Sequence, residues 1–230
     1  MKTGIEQLRA ACERDLGYPS DWPEPVGYPN SLALCIIDAI YVTGACHLTV
    51  EKVVERYRDY RAAQGGDADA DGAPELLATV RELGGPEQWA EEIGNRRPTS
   101  TAKNAPLRSV ALVEAAAALV DRGIRTTGEL RAVAADDEVY SQARAAWCAV
   151  PGQRSGFTWS YLVTLAHLPG LTADRTVVGY VAREVGEEES GRAAALLCAV
   201  AESAGWDVSA LQHAVWRFES RRPRDLPSTA

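Results

Sequence analysis

Two proline–glycine pairs, Pro151-Gly152 and Pro169-Gly170, bound the stretch that most restricts what this chain can become. Upstream, Ala143, Ala146, Trp147 and Val150 recur at helical spacing and the run stops at the first pair, because proline cannot continue a helix and glycine readily turns the chain. Gln153 to Gly156 then makes a tight connection. Phe157, Tyr161, Leu162 and Leu165 restart the helical period until the second pair ends it. The spacing therefore predicts two short helices joined by a glycine-bearing hairpin. Such a hairpin can present backbone N–H groups to a phosphate, with a helix N-terminus behind them and no base read. Past the second pair, Thr172 or Asp174 can cap a third helix whose apolar face includes Val177, Val178 and Val181.

The remaining chain reads as helical scaffold. Alanine-rich helical periods dominate and strand-like alternation is scarce, so an all-α fold is expected, and 230 residues suffice for one large domain or two small lobes. Ile5, Leu8, Ala11, Cys12 and Leu16 place a helix over 1–16. Residues 17–30 are too rich in proline and glycine to be regular; Trp22, Tyr18 and Tyr28 are expected to pin this arm to the body, or else an aromatic there stacks on an extruded base. Asn30 or Ser31 caps the run LALCIIDAIYV, which is apolar nearly all round and hence a core helix. Asp38 interrupts it. With Tyr41 it either lines a pocket mouth or is satisfied structurally. Thr49 is expected to cap the next helix, with Val53, Val54 and Tyr57 inward, and His47 has no His or Cys at ligand spacing. Asp67, Asp69, Asp71 and Gly72 copy the first half of a calcium loop, but Ala78 stands where the bidentate glutamate is required, so the segment reads as an acidic connector. Further helices are expected at about 75–83, from Pro86 to Ile93, at about 107–121, from Thr126 or Thr127 through Val133, and at 188–204 and 208–217.

The segment PGQRSGFTWSYLVTLAHLPGLTADRTVVGYV resembles the helix-hairpin-helix and following aspartate segment of the base-excision DNA glycosylase superfamily (HhH-GPD, endonuclease III-like). There a pattern like LPGVGxKT precedes a helix, a short loop and DxxVxR. Aligned without gaps, Gly156 falls at the lysine of the bifunctional members, and Asp174, 18 residues later, falls at the catalytic aspartate. The resemblance implies a two-lobed helical fold, with about 31–135 in one lobe, 1–30 plus 136–220 in the other, the hairpin motif at about 141–168, and a frayed tail at 221–230. It implies a monomer that binds double-stranded DNA through Gly152, Gln153, Arg154, Ser155 and Gly156 and extrudes one nucleotide. Asp174 would be catalytic, stabilising the oxocarbenium-like transition state as the N-glycosidic bond of a damaged or modified base breaks. No metal or organic cofactor is implied, apart from a monovalent cation often held by the hairpin carbonyls in this family. Two positions depart from the pattern. Gly156 carries no amine, so no Schiff base can form and a lyase step is not expected. Arg154 replaces the second hairpin glycine, where a positive φ would disfavour it. The alternative is a non-catalytic relative that binds DNA or serves as a protein-interaction scaffold.

A net charge of −8 argues against binding nucleic acid by bulk electrostatics, yet the charges are segregated. Residues 141–183 hold Arg144, Arg154, Arg175 and Arg183 against only Asp174, and residues 94–108 hold Arg96, Arg97, Lys103 and Arg108 with no acid. Arg96, Arg97 and Lys103 are thus candidate phosphate contacts. Residues 95–106 contain no large apolar side chain to fill the hole left by a flipped base, so that wedge would be arginine or asparagine, or come from another loop. Five widely spaced cysteines, Cys12, Cys35, Cys46, Cys148 and Cys198, read as free thiols of a reducing compartment, and the tail lacks the clustered cysteines of an iron–sulfur site. With no signal peptide or membrane span visible, a cytoplasmic location is expected. No Walker loop, dinucleotide fingerprint or local Ser/His/Asp signature is present, so nucleotide hydrolysis, redox chemistry and acyl transfer gain no support.

Overall fold

The computed structural model describes residues 2–22, 27–43, 47–168 and 175–221. Among them are twelve α-helices, one short 3-10 turn at Pro19–Asp21 and no strand, so the all-α expectation holds. The nearest thing to a sheet is a single antiparallel bridge between Pro98 and Leu107. No helix among the described residues is long and apolar enough to cross a membrane.

Contacts divide the chain into two compact units, residues 27–168 and residues 1–26 with 169–230. The hairpin motif therefore groups with the larger unit rather than with the chain ends.

The larger unit holds α2 (Leu32–Tyr41), α3 (His47–Ala63), α4 (Ala73–Glu82), α5 (Pro86–Glu92), α6 (Arg108–Val120), α7 (Thr127–Val133), α8 (Asp137–Ala149) and α9 (Phe157–Leu165). Every residue of α2 is buried, as an all-round apolar sequence requires, and the helix packs against α3, α4, α6 and α9. Its start is fixed by Ser31, whose Oγ accepts from the Leu34 N–H at 3.1 Å and donates to the Ala68 carbonyl at 2.7 Å. The acidic connector is thereby tied to the central helix. Asp71 completes the tie: its carboxylate accepts from Arg61 Nε at 2.6 Å and Tyr57 Oη at 2.8 Å, and its carbonyl accepts from Ala33 N–H at 3.1 Å. Asp69 pairs with Arg58. Two of the three carboxylates that copied a calcium loop are thus occupied by arginines, and the third, Asp67, accepts from the Asp69 N–H at 3.0 Å.

Two boundary expectations change. Thr49 lies inside α3, which begins at His47, and so does not cap it. The α9 core face is displaced by one residue: Thr158, Trp159, Leu162, Val163 and Leu165 are buried, whereas Phe157 is 57% exposed.

The smaller unit packs α1 (Lys2–Leu16), α10 (Arg175–Val185), α11 (Ser190–Ala204) and α12 (Val208–Arg221) around Leu8, Cys12, Tyr180, Val181, Leu197, Val200, Leu211 and Val215. Trp22 anchors the end of α1, donating from Nε1 to the Leu16 carbonyl at 3.1 Å and meeting Trp206 edge-on at 5.2 Å. Tyr18 is 77% exposed and anchors nothing. Burial drives the Cys12 thiol up to about 12, which suits an inert core residue.

Candidate nucleic-acid interface

The hairpin is built by two successive tight turns. Asp136 caps α8 by accepting from the N–H groups of Glu138 and Val139, and the helix runs to Ala149, after which Val150 turns extended. The Gln153 N–H donates to the Val150 carbonyl at 3.0 Å, and the Gly156 N–H donates to the Gln153 carbonyl at 3.1 Å. The left-handed positions this path needs fall on Gly152 (φ +84°) and on Gly156 (φ +74°), the N-cap of α9. Arg154 is not among the residues with positive φ. The penalty anticipated for a non-glycine residue there does not arise.

A buried polar relay holds the hairpin. Trp147 Nε1 donates to Thr158 Oγ1 at 2.9 Å, Thr158 Oγ1 donates to Gln153 Oε1 at 2.6 Å, and Gln153 Nε2 donates to the Pro151 carbonyl at 3.1 Å. Tyr140 and Trp159 add a second clasp, the indole donating to the phenol at 2.9 Å with ring centroids 5.4 Å apart. The hairpin is thus fixed before any ligand meets it. Gln153 was expected at the DNA surface; the residue is 3% exposed, its side chain is spent inside the turn, and its N–H and carbonyl are taken by Val150 and Gly156, so it holds the hairpin from within.

The basic segment lies alongside. Residues 97–108 form a small arch, with the Thr99 N–H on the Pro106 carbonyl at 2.8 Å and the Arg108 N–H on the Arg97 carbonyl at 3.0 Å. A side chain at Gly152 would begin 2.9 Å from Thr99 Cβ, so arch and hairpin touch with nothing between them. Asn104, in the left-handed region at φ +65°, is exposed in the arch beside exposed Lys103.

The cations sort into distinct roles. Arg154, Arg144, Arg97 and Lys103 are exposed and form no ion pair among the described residues, and no acid occurs in sequence between Glu92 and Glu114 or between Glu138 and Asp174. The Arg144 guanidinium sits 3.1 Å from where a Gly156 side chain would start. Arg96 pairs with Glu91 at 2.7 Å, an exposed contact of small worth. Arg108, counted in sequence with the basic segment, is instead an interior bracket that donates to the carbonyls of Tyr41, Thr43 and Pro98, and burial lowers its pKa. Ser155 is exposed and its Oγ accepts from the Phe157 N–H at 3.3 Å. Among the described residues no acceptor takes the N–H of Arg154 or of Ser155.

Asp38 and Tyr41 do not line a mouth. Asp38 is 7% exposed and accepts from the phenols of Tyr28, at 3.1 Å, and Tyr161, and burial first and the carboxylate second push both phenols above their usual range. Tyr41 is buried, with its hydroxyl beside the Trp89 indole. Tyr28 of the arm therefore packs on the larger unit instead of standing free for a base. Asp174 and Thr172 lie outside the described residues; α10 begins at Arg175, the next residue in sequence after Asp174. A monovalent cation at the hairpin would share the carbonyls of Val150, Pro151 and Gln153, each of which already accepts one N–H and keeps a second lone pair.

Fold and hairpin together define an all-α protein with a glycine-framed turn between two helices, in a stretch of sequence that carries exposed arginines and no acid from 139 to 173. Over residues 6–220 the chain matches the family described as Domain of unknown function (DUF8548), and it belongs to that family. No curated protein and no solved structure matches it.

Proposed function

We propose that this chain is a DNA-binding protein of the helix-hairpin-helix glycosylase type that acts as a monofunctional base-excision enzyme. The observation that carries the reading is the hairpin itself. Two left-handed glycines frame a turn whose Arg154 and Ser155 N–H groups have no acceptor among the described residues, Arg154 and Arg144 lie at it without an ion-pair partner there, and the arch that carries exposed Arg97 and Lys103 touches it through Thr99. Backbone donors with adjacent fixed cations are complementary to a phosphodiester and indifferent to sequence. Segregation of charge reconciles this face with the acidic total, because surface potential is local within a Debye length of about 8–10 Å at physiological salt.

In this reading the hairpin grips one backbone strand and Asp174 is the carboxylate that acts on the sugar of an extruded nucleotide. Its carboxylate stabilises positive charge that develops on the sugar as the N-glycosidic bond breaks, and water attacks the opposite face. Gly156 supplies no amine, and its left-handed φ beside the Arg144 guanidinium leaves that place unsuited to a lysine. The reaction therefore ends at base release. In the same reading the arch at 97–108, which touches the hairpin through Thr99 and exposes Asn104 and Lys103, contacts a second stretch of backbone.

Binding of lesion-bearing and undamaged duplexes across a salt series tests the reading, with wild type, Arg154→Glu and Asp174→Asn compared. The expected result is salt-sensitive binding by wild type that is weakened in Arg154→Glu and kept in Asp174→Asn, with base release in wild type only. Salt-sensitive binding without base release from any lesion would leave the non-catalytic DNA-binding alternative. No duplex binding at low salt would overturn the DNA reading.

A further inference from the structure

We propose that Phe157 is a stacking residue on which the hairpin seats an unpaired nucleobase. This rests on the DNA-binding reading above and adds the group that holds an opened base stack.

Phe157 is the first residue of α9, directly after Gly156, and more than half of it is in solvent. A lone exposed aromatic is ordinary. This one is held in place: its ring lies parallel to that of Tyr161, one helical turn on, with an interplanar angle of 2° and centroids 6.2 Å apart. Tyr161 is in turn fixed, because its phenol donates to the buried Asp38 carboxylate of α2, which also accepts from Tyr28. The exposed ring therefore ends a chain of contacts that runs into the core, and it loses little freedom on meeting a partner.

The surroundings select that partner. Arg154 lies three residues before Phe157, the Arg144 guanidinium lies beside Gly156, and neither has an acid partner among the described residues. The outward neighbours of Phe157 along the chain, Ser155, Ser160 and Thr164, are all small and polar, and the one ring shown against it is that of Tyr161. A protein interface centres on a contiguous apolar patch rimmed by polar groups. A single flat ring flanked by cations and unpaired N–H donors matches one base joined to its phosphates, where aromatic stacking is sequence-tolerant. Phe157 also supplies the large apolar side chain that the segment 95–106 lacks.

The test uses the full chain and a short duplex that carries one 2-aminopurine opposite an abasic analogue. Fluorescence of that base falls when it stacks, and affinity is read across a salt series for wild type, Phe157→Ala, Phe157→Tyr and Arg154→Glu, each checked for an unchanged melting transition. The expected result is that Phe157→Ala loses the quench and about tenfold in affinity at an unchanged salt slope, that Phe157→Tyr keeps both, and that Arg154→Glu flattens the slope. Salt-sensitive binding with the same quench and affinity in Phe157→Ala would overturn the stacking role and leave the DNA reading standing. Failure of wild type to bind the duplex at low salt would overturn both.

Discussion

Trp147 donates its indole N–H to the hydroxyl of Thr158 at 2.9 Å across the hairpin, and the Thr158 hydroxyl donates in turn to Gln153 Oε1 at 2.6 Å. All three side chains are buried, so each donor and acceptor depends on the next. Thr158→Val keeps the shape and deletes the hydroxyl, leaving the indole N–H and the amide oxygen unsatisfied. A loss of about 1–3 kcal/mol is expected in urea unfolding, with Thr158→Ser losing less because the hydroxyl remains. A Thr158→Val protein as stable as wild type would show that the relay does not hold the hairpin.

That relay also marks where sequence reading ended. The Pro-Gly stops located the hairpin, the all-round apolar run located α2, and of the two caps offered for it, Asn30 and Ser31, Ser31 is the one that caps. The inward face of α9 was misjudged because Thr158 and Gln153 count as polar in any periodicity, although mutual hydrogen bonds let both be buried and send Phe157 outward. Arg108 was likewise counted as surface charge. Its carbonyl partners Tyr41 and Thr43 lie 65 or more residues away, and no local pattern encodes such a contact. Arg154 seemed a strained substitution only because the left-handed positions were assigned by alignment; they fall on Gly152 and Gly156.

Two glycines should respond to alanine in opposite directions. Gly156 has φ +74°, and a side chain there would begin 3.1 Å from the Arg144 guanidinium, so Gly156→Ala should destabilise by about 1–2 kcal/mol. Gly179 lies exposed in the interior of α10 with nothing within 4 Å of an added Cβ. Gly179→Ala should stabilise by roughly 0.5–1 kcal/mol through reduced unfolded-state entropy. Thermal melts of the two variants, run together, check the signs.

Asp71 separates a structural ion pair from a calcium ligand. Its carboxylate is 5% exposed and is shared by Arg61 and Tyr57, so Asp71→Ala leaves a poorly hydrated guanidinium and a buried phenol without their acceptor. A loss of about 3 kcal/mol is expected. Asp67, exposed and bonded only to the Asp69 N–H at 3.0 Å, should cost less than about 1 kcal/mol when changed to alanine. Added calcium should leave the wild-type melting temperature unchanged, and a rise with calcium would overturn the assignment.

Glu129 gives the fold a defined acid dependence. Its carboxylate accepts from the Arg125 N–H at 2.6 Å and the Thr126 N–H at 3.0 Å, while Thr126 Oγ1 accepts from the Glu129 N–H at 3.2 Å, closing a reciprocal box at the start of α7. The Arg125 N–H, first among these donors, pulls its pKa below the ordinary 4.5. A depressed folded-state pKa means that the unfolded chain binds the proton more readily, so the contribution is whole above 4.5 and disappears as pH falls through the lowered folded value. Glu129→Gln keeps the shape and removes the charge. At pH 7 it should unfold at lower urea than wild type, and the gap should close as pH drops below the ordinary carboxylate range, since protonated Glu129 and glutamine then offer the N–H groups similar neutral acceptors. A gap that stayed constant from neutral to acid pH would mean that the charge at this cap contributes nothing to stability.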